Sequence, residues 1–187
     1  MIYLKKGAIE LSIGTIVIIV LAMSMLILGL VVIKQIFGGA LDITRMTDEQ
    51  VKNQIIKMFG EEDKLVIYPD SKHIDVKIGK SPGGGFGIGI RNLIEGESNT
   101  KFSYEVYVSD DNLRRKCGAT NAQADDWIVT GKSESNIPIA PGDIVTTKVL
   151  FNVPLGTQLC TLRYRIVVKA NGNDYATDFI DVTLKPK

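Results

Sequence analysis

The sequence has a single histidine, two cysteines and no excess of charge of either sign, with 22 Lys and Arg against 21 Asp and Glu. One histidine, His73, argues against zinc or triad chemistry built on imidazole and reads as an exposed strand residue. The charge balance excludes the basic footprint of a nucleic-acid partner and the acidic tail of a solvating segment. No Asn-X-Ser/Thr sequon occurs, so N-glycosylation is not indicated. Asp110-Asp111 and Asp125-Asp126 lack the Asp-X-Asp-X-Asp spacing of a calcium loop and read as turn residues. The run Gly83-Gly84-Gly85-Phe86-Gly87-Ile88-Gly89 has no Gly-Lys-Ser/Thr and leads into a strand, not a helix. It reads as a flexible loop and a bulged strand rather than a phosphate cradle. Arg114-Arg115-Lys116 reads as a solvated basic run on a loop. No catalytic, cofactor or metal residue is assigned, and the chain reads as a non-enzyme.

The most telling absence is of charge between Leu11 and Ile33, a run of 23 residues. A helix of that length spans ~35 Å, enough to cross a hydrocarbon core of ~30 Å. Being apolar all round, it needs lipid or other apolar helices about it. It follows a short basic head, Met1 to Gly7, that resembles a signal n-region. The run is too long for an ordinary secretory signal, and Lys34-Gln35-Ile36-Phe37 is a poor cleavage site, so the helix is expected to stay with the mature protein. Lys5, Lys6 and the α-amino group hold the N-terminus on the cytoplasmic side, against the weaker opposing vote of Lys34 and Arg45. Gly14, Thr15, Ser24 and Gly29 are the small or weakly polar breaks in the run, of the kind that lets helices approach closely. Glu10, at its edge, is costly to bury unless paired. It either sits at the interface against Lys5 or Lys6, or pairs with an ammonium inside a helix bundle.

Lys5-Lys6-Gly7-Ala8-Ile9-Glu10-Leu11-Ser12-Ile13-Gly14-Thr15-Ile16-Val17 resembles the class III signal and helix of archaeal type IV pilins and archaellins. Ile13-Gly14-Thr15-Ile16 is similar to the Ile-Gly-Thr-Leu run of archaellins. Ser12 stands where many type IV pilins carry Glu. The resemblance implies that a prepilin-type peptidase cuts after Gly7, leaving Ala8 as the new N-terminus. It also implies that the helix is first a membrane anchor and then the core of a filament of identical copies. Glu10 would then face the new ammonium of Ala8 or of a neighbour's Ala8.

Gly38-Gly39 interrupts the helix and reads as a hinge. Thr47-Asp48-Glu49-Gln50 is a capping box with acidic residues in the first turn. Val51, Ile55, Met58 and Phe59 make one apolar face of a short helix ending at Gly60. That helix either packs under the following module or forms a collar between it and a filament core.

From Lys64 onward the period becomes two. Ile74, Val76 and Ile78 alternate with polar neighbours, as do Phe102 to Val108 and Leu162 to Val168. Further strands are expected at 64–68, 86–94, 126–130, 144–153 and 175–184. Seven or eight short strands separated by Gly, Pro and Asn turns predict a β-sandwich. The passage from Phe151-Asn152-Val153-Pro154 to Leu159-Cys160-Thr161-Leu162 resembles the E-to-F connection of immunoglobulin-like surface domains. Cys117, Trp127 and Cys160 resemble the antibody Cys…Trp…Cys order, although Gln158 stands where a tyrosine corner needs Tyr. Cys117 and Cys160 either form a disulfide, as an oxidising exterior would favour, or remain two buried thiols.

The expected architecture is α+β: a basic leader at 1–7, an apolar transmembrane or filament-core helix at 8–37, a hinge and amphipathic helix at 38–63, and an antiparallel immunoglobulin-like β-sandwich at 64–187. The expected function is that of a structural subunit of an archaeal type IV pilus-like or archaellum-like filament, serving adhesion or motility. Such a subunit would lie in the cell membrane before assembly and at the cell surface afterwards. Its partners would be the membrane, copies of itself and the peptidase. The competing expectation is an uncleaved single-pass surface protein whose sandwich binds a partner or glycan.

Overall fold

Residues Ile13–Phe37 form one continuous helix, α1, of 25 residues. The computed structural model describes residues 13–37, 43–96 and 100–187. The leader residues Lys5, Lys6, Gly7, Ala8 and Glu10 and the Gly38-Gly39 hinge therefore lie outside the described residues. The chain divides into two units, Met1–Gly39 and Ala40–Lys187.

In the second unit, α2 (Asp48–Met58) is followed by β1 (Leu65–Tyr68), β2 (His73–Lys77), β3 (Gly84–Arg91), β4 (Lys101–Val108), α3 (Leu113–Cys117) and α4 (Asn121–Asp125). Strands β5 (Ile128–Thr130), β6 (Ser133–Pro138), β7 (Ile144–Phe151), β8 (Thr161–Ala170) and β9 (Asn173–Lys185) complete it. One sheet has the order β1-β3-β7-β5 and the other β2-β9-β8-β4-β6. With β1, β3, β4, β5, β7, β8 and β9 taken as A, B, C, D, E, F and G, these are the ABED and GFC sheets of an immunoglobulin-type sandwich, β6 extending the second.

Two features depart from the simple antiparallel expectation. Strand β2 pairs with β9 in parallel, His73 opposite Asp181 and Lys77 opposite Lys185. Strands β1 and β2 are successive segments of one edge that changes sheets, and β5 and β6 do the same at the other edge. The second change occurs at Gly131, where φ is +75° and a Cβ would lie 2.1 Å from the Lys148 carbonyl oxygen. Only glycine fits so close an approach at positive φ. Strand β6 and the short helices α3 and α4 were not expected from periodicity.

The core follows the alternation of the strands. On β8, Leu162, Tyr164, Ile166 and Val168 are buried between exposed Arg163 and Arg165. Phe86 of β3 packs on Phe151 of β7, with ring centroids 6.0 Å apart. Phe151 in turn packs on Tyr164 of β8 at 5.0 Å. Aromatic contact between β7 and β8, strands E and F, thus joins the two sheets, whereas an antibody domain links B and F by its disulfide.

The glycine run is corrected by the structure. Strand β3 pairs without a register shift from Gly84 opposite Phe151 to Arg91 opposite Ile144, so it is a regular central strand with neither loop nor bulge. Phe86, Ile88 and Ile90 enter the core, while Gly85, Gly87 and Gly89 line the other face. A Cβ at Gly87 would lie 2.8 Å from Ile55, and one at Gly89 would lie 2.4 Å from Ile55 and 2.7 Å from Phe59. The missing side chains form a shallow seat for α2. A second buried cluster, Ile43, Val51, Ile55 and Val66, fills it. Helix α2 therefore packs on the module, its start fixed by the Thr47–Gln50 capping box. Lys148 of β7 ties the entering chain down by donating to the Met46 carbonyl at 2.6 Å and pairing with Asp48 at 2.8 Å.

Candidate assembly helix and the groove end of the module

Helix α1 carries Gly14, Thr15, Ser24 and Gly29 between large aliphatic side chains. The stretch Gly14–Val32 is long and apolar enough to cross a membrane, and none of it is buried. Every large apolar side chain from Ile16 to Val32 is at least 46% exposed. The Ser24 hydroxyl donates to the Val20 carbonyl at 2.7 Å, so it satisfies itself within the helix and leaves the surface apolar. No Cβ contact would arise at Gly29 within 4 Å. Such a surface is stable only in lipid or against other apolar helices. An N-terminal helix of this kind is consistent with membrane anchoring or with a signal sequence.

In the module, Cys117 at the end of α3 is bonded to Cys160, one residue before β8, across a sequence separation of 43. Cys117 is buried and Cys160 partly buried against the main core. The bond fastens the two short helices to the β7–β8 connection. Beside it lies a groove of 760 Å³, lined among others by Cys117, Gln123, Trp127, Val129, Leu155 and Gln158. Trp127 is only 6% exposed, whereas Val129, Leu155 and Leu159 are 53%, 76% and 60% exposed. The cysteine order singled out Cys117, Trp127 and Cys160; nothing in the periodicity marked the exposed leucines, which sit on an irregular connection.

The charged candidates are satisfied locally. Asp110 accepts from the Asn112 amide at 3.0 Å and pairs with Lys116 at 3.0 Å. Burial works to raise its pKa, but Lys116 and the Asn112 amide outweigh it and hold the carboxyl below its ordinary value. Asp125 accepts from the Val108 amide at 2.7 Å. Asp110 thus holds its own turn, while Asp125, at the end of α4 and not in a turn, ties that helix to β4. Arg114-Arg115-Lys116 lies on α3 and not on a loop, a correction that follows from Leu113 and Cys117 anchoring one buried side of that helix. His73 is exposed, 3.5 Å from Asp75. Among the described residues no three His, Cys, Asp or Glu side chains are grouped to hold a metal ion.

No family model matches the chain, and no curated protein matches it in sequence. Among solved structures it is similar to the periplasmic chaperone SfaE, at 10% identity and a TM-score of 0.39, over 66% of this chain and 57% of that one. The chain therefore spans little more than half the length of that structure. By its own topology the module belongs to the class of immunoglobulin-type sandwiches, here carried on a chain with an N-terminal apolar helix.

Proposed function

We propose that this chain is a structural subunit of an archaeal type IV pilus-like or archaellum-like surface filament. The supporting observation is α1, apolar and exposed around its whole circumference over the length of a bilayer. The residues just before it resemble a class III processing site. In this reading α1 is held in the membrane until the peptidase removes Met1 to Gly7, and then moves into a bundle of identical helices. One dry environment replaces another, so the transfer loses little apolar burial, and close packing at the small residues of α1 supplies its direction. The sandwich remains outside the membrane, where an oxidising milieu maintains the Cys117–Cys160 bond.

The second reading, an uncleaved single-pass surface protein, draws support from the groove beside Trp127, where a partner or glycan would dock. Intact mass of the native protein, taken with electron microscopy of the cell surface, separates the two. A subunit starting at Ala8 and present in filaments supports the first reading. A chain that retains Lys5 and Lys6 and remains membrane-bound as single molecules overturns it.

A further inference from the structure

The two ends of the sandwich differ in chemistry. One end gathers the β2–β3 turn, the α3–α4 segment and the β7–β8 connection. Hydrogen bonds from Gly79 N–H to the Val153 carbonyl, Ser109 N–H to the Arg163 carbonyl and Leu184 N–H to the Cys160 carbonyl hold it together. It carries the groove lined by exposed Val129 and Leu155, exposed Leu159 on the same connection, and the exposed cations Arg114 and Arg115. Of its carboxylates, Asp110 is paired with Lys116 at 3.0 Å and exposed Asp126 lies 3.8 Å from Lys132, while exposed Asp111 offsets only part of the charge of Arg114 and Arg115.

The opposite end gathers the α2–β1 turn and the β3–β4, β6–β7 and β8–β9 connections. It is tied by Arg91 N–H to the Lys64 carbonyl, Asn92 N–H to the Asp143 carbonyl and Asn171 N–H to the Lys101 carbonyl. Buried Asn92 braces it by donating to the Ile139 carbonyl and accepting from the Ile94 amide, both at 2.8 Å. Exposed Glu61, Glu62, Asp63, Glu95, Asp143 and Asp174 crowd this end. Two of its cations lie over rings, exposed Lys64 over Tyr175 at 5.0 Å and partly buried Arg91 over Phe59 at 4.5 Å. Exposed Lys64 and Lys101 only partly offset the six carboxylates.

We infer that modules of successive copies meet end to end, the Leu155–Leu159 groove end of one copy seating against the Glu61–Asp63 end of the next. The occupant is a second copy because the module itself carries both halves of a complementary pair. A contact between two different patches is heterologous, and repeated by a non-closing operator it generates an open filament. Individual exposed ion pairs are weak. In a polymer each copy makes the contact in both directions, while packed α1 helices supply a high effective concentration. The inference rests on the filament reading and adds to it a specific contact between outer modules.

A benzophenone amino acid placed at position 155 of the full chain tests it in filaments sheared from cells, with cross-linked peptides read by mass spectrometry. The expected product joins position 155 to a peptide from 60–64 or 92–96 of another copy. Cross-links to the 155–159 segment of another copy, to lipid, to another protein, or to nothing overturn the inference. Charge reversal gives a second arm. R114E with R115E, and separately E61K with E62K, should each weaken the contact roughly tenfold and shorten filaments. The chain with all four changes should recover wild-type length, because complementarity is restored in reverse; failure of that rescue counts against the contact. If filaments form from chains starting at Ala8 but the position-155 probe misses the acidic end, only this inference falls. If wild-type cells make no filaments and retain Met1 to Gly7, the filament reading falls with it.

Discussion

The Tyr164 hydroxyl of β8 donates to the carbonyl oxygen of Ala124 in α4 at 2.7 Å, joining the centre of the core to the short helical segment beside the disulfide. Burial, followed by the nearby Asp125 carboxylate, raises the phenol's pKa far above its ordinary value, so it remains a donor throughout the working pH range. The Ala124 carbonyl also receives the Trp127 amide at 3.2 Å, so losing the phenol does not leave it unpartnered. Tyr164→Phe should therefore lower the unfolding free energy by about 1 kcal/mol, the net worth of one hydrogen bond. Tyr164→Ala also loses the ring packed on Phe151 and should cost ~3–5 kcal/mol. Denaturant unfolding of the two variants in detergent checks both figures, and equal losses would contradict this division.

The seat of α2 is testable at Gly89. An alanine methyl there meets Ile55 and Phe59 at 2.4 and 2.7 Å, so α2 must lift or shift. Gly89→Ala should cost ~1–3 kcal/mol as overpacking. Hydrogen exchange should then show faster exchange across Val51–Met58, with β7 and β8 unchanged. Uniform loss of protection would instead mean that α2 and the sandwich unfold as one.

The disulfide closes a long loop that starts at the last residue of α3 and contains α4 and the strands β5, β6 and β7. For the separation of 43 between Cys117 and Cys160, the chain-entropy model assigns a stabilisation of ~4 kcal/mol. Replacing both cysteines by serine should lower stability by that order in unfolding experiments, while leaving membrane insertion through α1 intact. A loss below ~1 kcal/mol would mean that contacts around Trp127 already restrain this loop in the unfolded chain.

Strand positions with strict alternation, such as Leu162 to Val168, could be read from the sequence because a single buried face imposes a period of two. The capping box at Thr47 was legible for a similar reason, since its chemistry is local. Gly85, Gly87 and Gly89 were not, because what explains them is a helix about thirty residues earlier, and local rules read alternating glycine as a defect. Strand β6 also escaped: Ser133-Glu134-Ser135-Asn136 is an exposed edge with no apolar face to pattern it. Arg114-Arg115-Lys116 hid α3 because only Leu113 and Cys117 mark the buried side of so short a helix. The groove depends on Val129 and Leu155, which come together only through the disulfide and the sheet-changing edge strand.

Arg163 and Asp181 stand opposite each other on β8 and β9 and make a two-pronged contact, Nε to Oδ1 at 2.7 Å and Nη2 to Oδ2 at 2.9 Å. The hydrogen bond from Arg163 is the main reason the Asp181 carboxyl lies below its ordinary value, burial acting the other way. A carboxyl whose pKa is depressed by folding adds stability that is present above its unfolded value, ~4, and lost as pH falls through the lower folded value. Arg163→Ala should therefore be less stable than wild type at neutral pH, with the difference shrinking as the pH is taken well below ~4. Because both side chains are substantially exposed, the effect is small. Unfolding midpoints at neutral and at acid pH provide the measurement, and a difference that persists undiminished in acid would assign the loss to Arg163 packing on Phe179 instead, where the guanidinium lies 4.0 Å from the ring centroid.

In the proposed filament reading, processing and assembly would be coupled through the charges flanking α1. With the leader in place, Lys5 and Lys6 keep two strongly hydrated charges near the helix tip, and carrying them into an apolar bundle is expensive. Cleavage after Gly7 would remove both and create an ammonium on Ala8, two residues from Glu10, which offsets part of the cost of burying that carboxylate. Gly7→Trp should block the cut, leaving full-length protein in the membrane and no filaments. Glu10→Ala should be cleaved and membrane-bound yet assemble poorly, because the new ammonium then enters the bundle without a counter-charge. Membrane fractionation, intact mass and electron microscopy of the same cells read all three steps. If the Gly7 variant kept Lys5 and Lys6 and still produced wild-type filaments, cleavage would not be the trigger. The apolar surface of α1 would then have its use in lipid alone, as a simple anchor for the sandwich.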